Sequence, residues 1–166
     1  MMRILHAGCG SNTLPVWLSG DEVRLDINPA AEPDVVADLI AMGDIGEFDA
    51  VYCAHTLEHL YPHTVGTALG EFLRVLKPGG RAFVTVPDLE GIEATEAVVY
   101  DCEVGPVTGL DMLYGYRPFL AGSPFMAHHC GFVRSTLEKA LLDAGFSGAI
   151  VKRVPPMFEL LGVAVK

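Results

Sequence analysis

The apolar run Arg3–Ala7 stops abruptly at Gly8, Cys9 and Gly10. A buried strand that breaks into a glycine turn restricts the fold more than any other feature of the chain. The same pattern recurs downstream. Strands are expected over 22–26, 34–37 and 48–54, each running into a polar residue: Asp26, Asp38 and His55. Val65, Ala68, Leu69, Phe72, Leu73 and Leu76 repeat at helical spacing, which predicts an amphipathic helix over 64–76, stopped by Lys77-Pro78-Gly79-Gly80. A fifth strand over 81–86 ends at Pro87 and Asp88. A shorter helix is expected to open at Pro15 and close at Gly20. Another is expected to start from a Ser135/Glu138 capping box and reach Ala144, with Gly145 in the left-handed position after it. Strands over 149–154 and 159–165 are separated by little more than Pro155 and Pro156, too short for a helical crossover, so they must pair antiparallel or not at all. Alternating strands and helices predict a doubly wound α/β fold with a mostly parallel seven-stranded sheet, the last strand antiparallel, and helices on both faces.

The 166 residues suit one domain, 1–166, with its own core. Within it, 89–130 follows neither period and reads as a substrate or lid insertion. Cys9, Cys53, Cys102 and Cys130 stand at wide, irregular spacings that suggest free thiols. With no apolar signal segment after Met1-Met2-Arg3 and no run of about 20 apolar residues, a cytoplasmic protein without membrane attachment is expected. A formal charge of −10 disfavours nucleic acid as a partner and is compatible with a cationic ligand.

In open α/β sheets, ligands bind beyond the carboxyl ends of the strands, where strand order reverses. That rule selects Gly8, Cys9, Gly10, Asp26, Asp38, His55 and Asp88. The glycines let backbone approach a ligand, and Asp26, sixteen residues after Gly10, can accept hydrogen bonds from ribose hydroxyls. A nucleoside cofactor follows. Gly8-Cys9-Gly10-Ser11-Asn12-Thr13 lacks the third glycine of the dinucleotide fingerprint, so NAD loses ground.

What remains resembles the first motif of the class I S-adenosylmethionine-dependent methyltransferases, V-L-D-x-G-C-G-x-G, here Ile4-Leu5-His6-Ala7-Gly8-Cys9-Gly10-Ser11-Asn12. Phe48-Asp49-Ala50-Val51 followed by Leu57-Glu58-His59 resembles the F-D-x-V…L-E-H segment of the small-molecule branch, the methyltransferase type 11-like group. Leu73-Arg74-Val75-Leu76-Lys77-Pro78-Gly79-Gly80 resembles its L-R-V-L-K-P-G-G turn. Gly131-Phe132, Leu141-Leu142 and Ala144-Gly145-Phe146 resemble its final helix. The resemblance implies a Rossmann-like fold, S-adenosylmethionine as cofactor and a small-molecule methyl acceptor. It assigns His6 and the Gly8–Gly10 loop to the methionine part of the cofactor, Asp26 and Ile27 to its ribose, Asp38 and Leu39 to the adenine, and His55 to the methyl group. His6 replaces the family's usual acidic residue, and Asn12 its third glycine. The family's amino-terminal covering helices have no counterpart here, so cover is expected from the segment after Asp88 or from a second subunit in a homodimer.

Methyl transfer needs a base when the acceptor is a hydroxyl or a protonated amine. His55, His59, His128 and His129 are the candidates, with His128 and His129 preferred, because imidazole titrates near neutrality. His55-Thr56-Leu57-Glu58-His59 also matches the H-x-x-E-H zinc peptidase pattern. It follows a strand instead of lying within a long helix, and the adjacent His128-His129-Cys130 seldom aim at one ion, so no metal is expected. A second reading stays open: a degenerate methyltransferase-fold binding module without catalysis, for which His6 is the evidence.

Overall fold

Successive residues of a strand face opposite sides of its sheet, and the central strands here are apolar on both. The computed structural model describes residues 1–156 and 158–166. Its main sheet contains β1 (Arg3–Ala7), β2 (Asp21–Asp26), β3 (Val35–Val36), β4 (Phe48–Ala54), β5 (Leu76–Pro87), β8 (Gly148–Val154) and β9 (Glu159–Val165). The strand order is β3-β2-β1-β4-β5-β9-β8. Pairing is parallel from β3 to β5, and β9 runs antiparallel to both of its neighbours. This is the Rossmann-like, mostly parallel seven-stranded sheet with an antiparallel last strand that the sequence predicts. The order reverses between β1 and β4, which brings the turn after β1 beside the tip of β4.

One sheet face carries the larger core. Leu5, Val51, Cys53, Val84 and Leu160 are buried against α1 (Pro62–Val75) and α4 (Arg134–Asp143). Val65, Ala68, Leu69, Phe72 and Val75 form the buried stripe of α1, which starts at Pro62 instead of Thr64 because proline suits the first helical position. Leu76, expected to end this helix, opens β5, and a register shift between Phe48 and Ala50 takes up the Lys77–Gly80 turn. On β9, a methyl at Gly162 would stand 3.1 Å from Leu141 and 3.4 Å from Leu137, so glycine lets α4 settle on the sheet.

The opposite face is covered differently. After Pro15 the chain makes a turn at Val16 and Trp17 instead of the expected helix. Too few residues separate Pro15 from Gly20 for a stable helix to form there. Trp17 meets Tyr52 and Phe83 edge-on, and Leu18 joins Ile4 and Ala50 in a small second cluster. The expected Ser135/Glu138 capping box is also replaced: α4 starts at Arg134, and the Val133 N–H donates to the Thr136 hydroxyl at 3.0 Å.

The stretch without a clear period is ordered. It contains a two-stranded ribbon, β6 (Val98–Cys102) and β7 (Gly105–Thr108), then α2 (Gly109–Tyr114) and α3 (Arg117–Leu120). A bridge between Asp88 and Phe132 joins its two ends. Thr108 and Asp111 form a capping box, and Arg117 ties Asp111 to Glu96. Among the described residues, no helix is long and apolar enough to cross a membrane.

Candidate active site at the strand tips

The turn after β1 is built by backbone conformation. Gly8 and Gly10 have φ of 69° and 48°, a region costly for residues with a Cβ. The Gly8 and Cys9 N–H groups both donate to Leu25 O, at 2.8 and 3.1 Å. A Cβ on Gly8 would fall 2.4 Å from Thr56 Cγ2, whereas beside Gly10 there is open space. The first glycine therefore admits the β4 tip, and the second leaves room for a ligand. Arg24 fastens the outer side of the turn, donating to Gly10 O at 2.6 Å and Asn12 O at 2.7 Å.

Asp26 ends β2 against this turn. Its Oδ2 accepts the Gly10 N–H and its Oδ1 the Asn28 N–H, each at 2.8 Å. Each oxygen keeps a second lone pair for an incoming hydroxyl. Ile27 is exposed beside it. Asp38 forms a local turn by accepting the Ile40 N–H at 3.1 Å, while Leu39 is buried in the core. Cys9 is buried too, so at both positions only the backbone is left to meet a ligand.

His6 departs from its assignment. The ring is buried, with Nδ1 2.7 Å from Glu22 Oε1 and its face tilted against Tyr52. Burial lowers its pKa, with the Glu22 contact opposing that shift. Its side chain is therefore engaged beneath the turn and is not offered to a ligand. Asp88 is likewise occupied, buried and paired with Arg153.

At the tip of β4, His55 has a φ of 49°, strained for a residue with a side chain, and its N–H is held by Thr85 O at 2.9 Å. Its Nε2 lies 2.5 Å from Glu159 Oε2 and its Nδ1 3.5 Å from Glu58 Oε1. Burial opposes the charge, but these two carboxylates outweigh it and raise the pKa to about 10. His55 is thus an imidazolium at neutral pH and holds no lone pair for an acceptor's proton.

Below His55 opens a cavity of about 210 Å³, whose lining includes Glu58, His59, Tyr100, Met112, His128 and Phe158. It is roofed by the segment expected to be an insertion. Burial lowers the pKa of His128, and its Nδ1 lies 2.9 Å from Met112 O. His129 is separated from it: its ring stacks on Tyr61 at 4.4 Å, and its backbone N–H donates to Glu58 O. His55 and His128 therefore share the cavity, and His129 does not line it. Sequence reasoning missed Glu159, which only the antiparallel return of β9 brings to His55. It also gave Glu58 no role, although Glu58 stands inside the H-x-x-E-H pattern. A larger cleft, about 490 Å³, lies between α1 and α4, with Val65, Phe132 and Thr136 in its walls.

Residues 5–84, which include the glycine turn, Asp26 and His55, match the family model of a methyltransferase domain. The match spans 80 of the chain's 166 residues. Solved methyltransferase structures share its fold across nearly the whole chain. An S-adenosylmethionine-dependent methyltransferase from Mesorhizobium loti is 19% identical over 99% of this chain and 91% of that one, with a TM-score of 0.65. The 1,6-didemethyltoxoflavin-N1-methyltransferase of Burkholderia thailandensis, solved with 1,6-didemethyltoxoflavin and S-adenosylhomocysteine, is 18% identical over 99% of this chain and 71% of that one (TM-score 0.62). The N-methyltransferase NodS from Bradyrhizobium japonicum, in complex with S-adenosylhomocysteine, is 15% identical over 99% of this chain and 78% of that one (TM-score 0.62). No curated protein matches the chain at a significant level.

Proposed function

We propose that this chain is an S-adenosylmethionine-dependent methyltransferase acting on a small molecule. The observation that carries the reading is the contact between the glycine turn and Asp26. It fixes a carboxylate with free lone pairs beside open backbone at the sheet's reversal point. Such a site fits an adenosine: Asp26 would take the ribose hydroxyls, the Asp38-Leu39 turn the adenine, and the Gly8–Gly10 backbone the methionine carboxylate and amine. When bound, the cofactor supplies an electrophilic methyl group on a sulfonium.

The chain's residues then have positioning tasks. An in-line displacement gains most from alignment in a water-poor pocket. The 89–130 insertion, through Tyr100 and Met112, together with Phe158 before β9, would wall the acceptor side of the cavity and exclude solvent. His55, charged and held by Glu58 and Glu159, would shape the field at the strand tip without taking a proton. His128, whose Nδ1 is held by Met112 O and whose pKa is lowered by burial, would turn its Nε2 toward the acceptor side. The two related structures solved with S-adenosylhomocysteine, one of them also holding a small-molecule substrate, support this reading.

Calorimetric titration of the protein with S-adenosylhomocysteine and, separately, with NAD tests the reading. One site for the first and none for the second is the expected result. Absence of S-adenosylhomocysteine binding to folded protein would favour the non-catalytic binding module.

A further inference from the structure

Three groups at the floor of the cavity are set up as ligands. Glu58, in the short 3-10 turn Leu57–His59, is 1% exposed, and its Oε2 has no hydrogen-bond partner among the described residues. A buried carboxylate oxygen without a partner carries a desolvation cost that native structures normally relieve. Beside it stand His59 and His128, their rings 5.1 Å apart. His59 Nδ1 lies 3.1 Å from Ala127 O, and His128 Nδ1 lies 2.9 Å from Met112 O. A carbonyl can only accept, so each Nδ1 carries a proton, and in the neutral ring that leaves Nε2 as the metal-binding atom. Backbone carbonyls fix metal-binding histidines in this way. One donor atom from each of Glu58, His59 and His128 lies within 4.8 Å of the other two.

From this geometry we infer that Glu58, His59 and His128 form a binding site for one divalent first-row transition-metal ion, of the zinc or iron(II) class. Two imidazoles and one carboxylate are a recurrent ligand set for such ions, with further coordination positions left for water or a substrate. Donor atoms around a tetrahedral zinc stand roughly 3.4 Å apart, given metal–ligand bonds of about 2.1 Å. Closing from 4.8 Å therefore needs side-chain shifts of about an ångström. The H-x-x-E-H pattern contributes its Glu58 and His59. The second imidazole is His128, from across the cavity, because Glu159 has taken His55.

The free coordination positions would face the cavity that the proposed function assigns to the methyl acceptor. An acceptor with a hydroxyl or carboxylate oxygen is the chemical class such an ion would hold there. This last step rests on the methyltransferase reading, whereas the ion site stands on its own geometry.

The test uses the whole chain, treated with a chelator and dialysed. It is titrated with cobalt(II), followed by the visible absorption of the bound ion, and with zinc(II) by calorimetry. The expected result is one ion per chain, with affinity falling at least about tenfold in His59→Gln, in His128→Gln and in Glu58→Gln, and unchanged in His63→Ala and Cys102→Ser. Circular dichroism and S-adenosylhomocysteine titration on the same samples separate loss of the ion site from loss of the fold or of the cofactor site. Folded wild-type protein that takes up no ion at 100-fold excess would overturn the inference. So would ion binding that survives both histidine substitutions. If a glutamine variant does not fold, the imidazole proton resonances of wild-type protein decide: zinc must shift those of His59 and His128 and leave those of His63 in place.

Discussion

Replacing Asp26 with alanine removes the carboxylate that joins the turn after β1 to the tip of β2. Two effects follow and can be separated. The Gly10 and Asn28 N–H groups, each 2.8 Å from a carboxylate oxygen, lose their acceptor. Both sit near the surface where water can replace it, so the stability loss should be about 1 kcal/mol. Ligand affinity should suffer more. Two ribose hydroxyls donating to an ionised acceptor contribute about 1.5 kcal/mol each, so their loss costs roughly 3 kcal/mol, or about 10²-fold in Kd. Asp26→Asn keeps one oxygen acceptor but points an amide N–H₂ at a backbone donor, and should fall between wild type and alanine. Calorimetry with S-adenosylhomocysteine measures the affinity, and circular dichroism establishes folding. A folded Asp26→Ala protein that binds within about threefold of wild type would refute the assignment of the ribose to this carboxylate.

Further outcomes follow from the same geometry. His55 has its pKa raised from 6.5 to about 10 in the folded chain, so its pairing stabilises fully below pH 6.5 and is lost as pH rises toward 10. The melting temperature of wild type should therefore fall more steeply between pH 7 and 10 than that of Glu159→Gln, and parallel curves would contradict the pairing. Gly8→Ala places a methyl on Thr56 at a left-handed φ. It should cost about 3 kcal/mol, lowering the melting temperature by roughly 10 °C in thermal unfolding, and an unchanged melting temperature would refute the close approach. The Asp111 carboxyl is well below the usual range: burial would raise its pKa, but Arg117 and Thr108 outweigh it. Asp111→Ala should speed amide exchange across 98–120 while leaving S-adenosylhomocysteine affinity within about twofold, and exchange spread evenly over the main sheet would contradict a local role.

The parts of the fold that follow a period were legible. The stripe on α1 is set by apolar residues at a spacing of about 3.6 and the strands at β4 and β9 by short apolar runs, while the proline pair leaves too little chain for a helical crossover. The turn at Val16 and Trp17 was misread as a helix because a proline suits a helix start as well as a loop. What decides its conformation is the packing of Trp17 on Tyr52 and Phe83, residues far along the chain. Thr136 took the capping role expected of Ser135 and Glu138, a one-residue shift that local pattern cannot resolve. The convergence of Gly8, Gly10 and Asp26 at the strand tips was legible because backbone geometry and strand ends constrain them. His6 was not, since its position in the motif says nothing about its partner Glu22. The pairings of His55 with Glu159, and of His59 with His128, join residues 104 and 69 positions apart and exist only once the sheet and the insertion are in place.

Titration of isotope-labelled protein with S-adenosylhomocysteine, followed by backbone amide resonances, most directly tests the claim that an adenosine cofactor lies across the strand tips. The expected perturbations cluster at Gly8, Gly10, Ile27, Asn28 and Leu39, with the Gly10 and Asn28 amides moving most because they share Asp26 with the ligand. Perturbations centred on the cleft between α1 and α4, or none at saturating ligand, would contradict it.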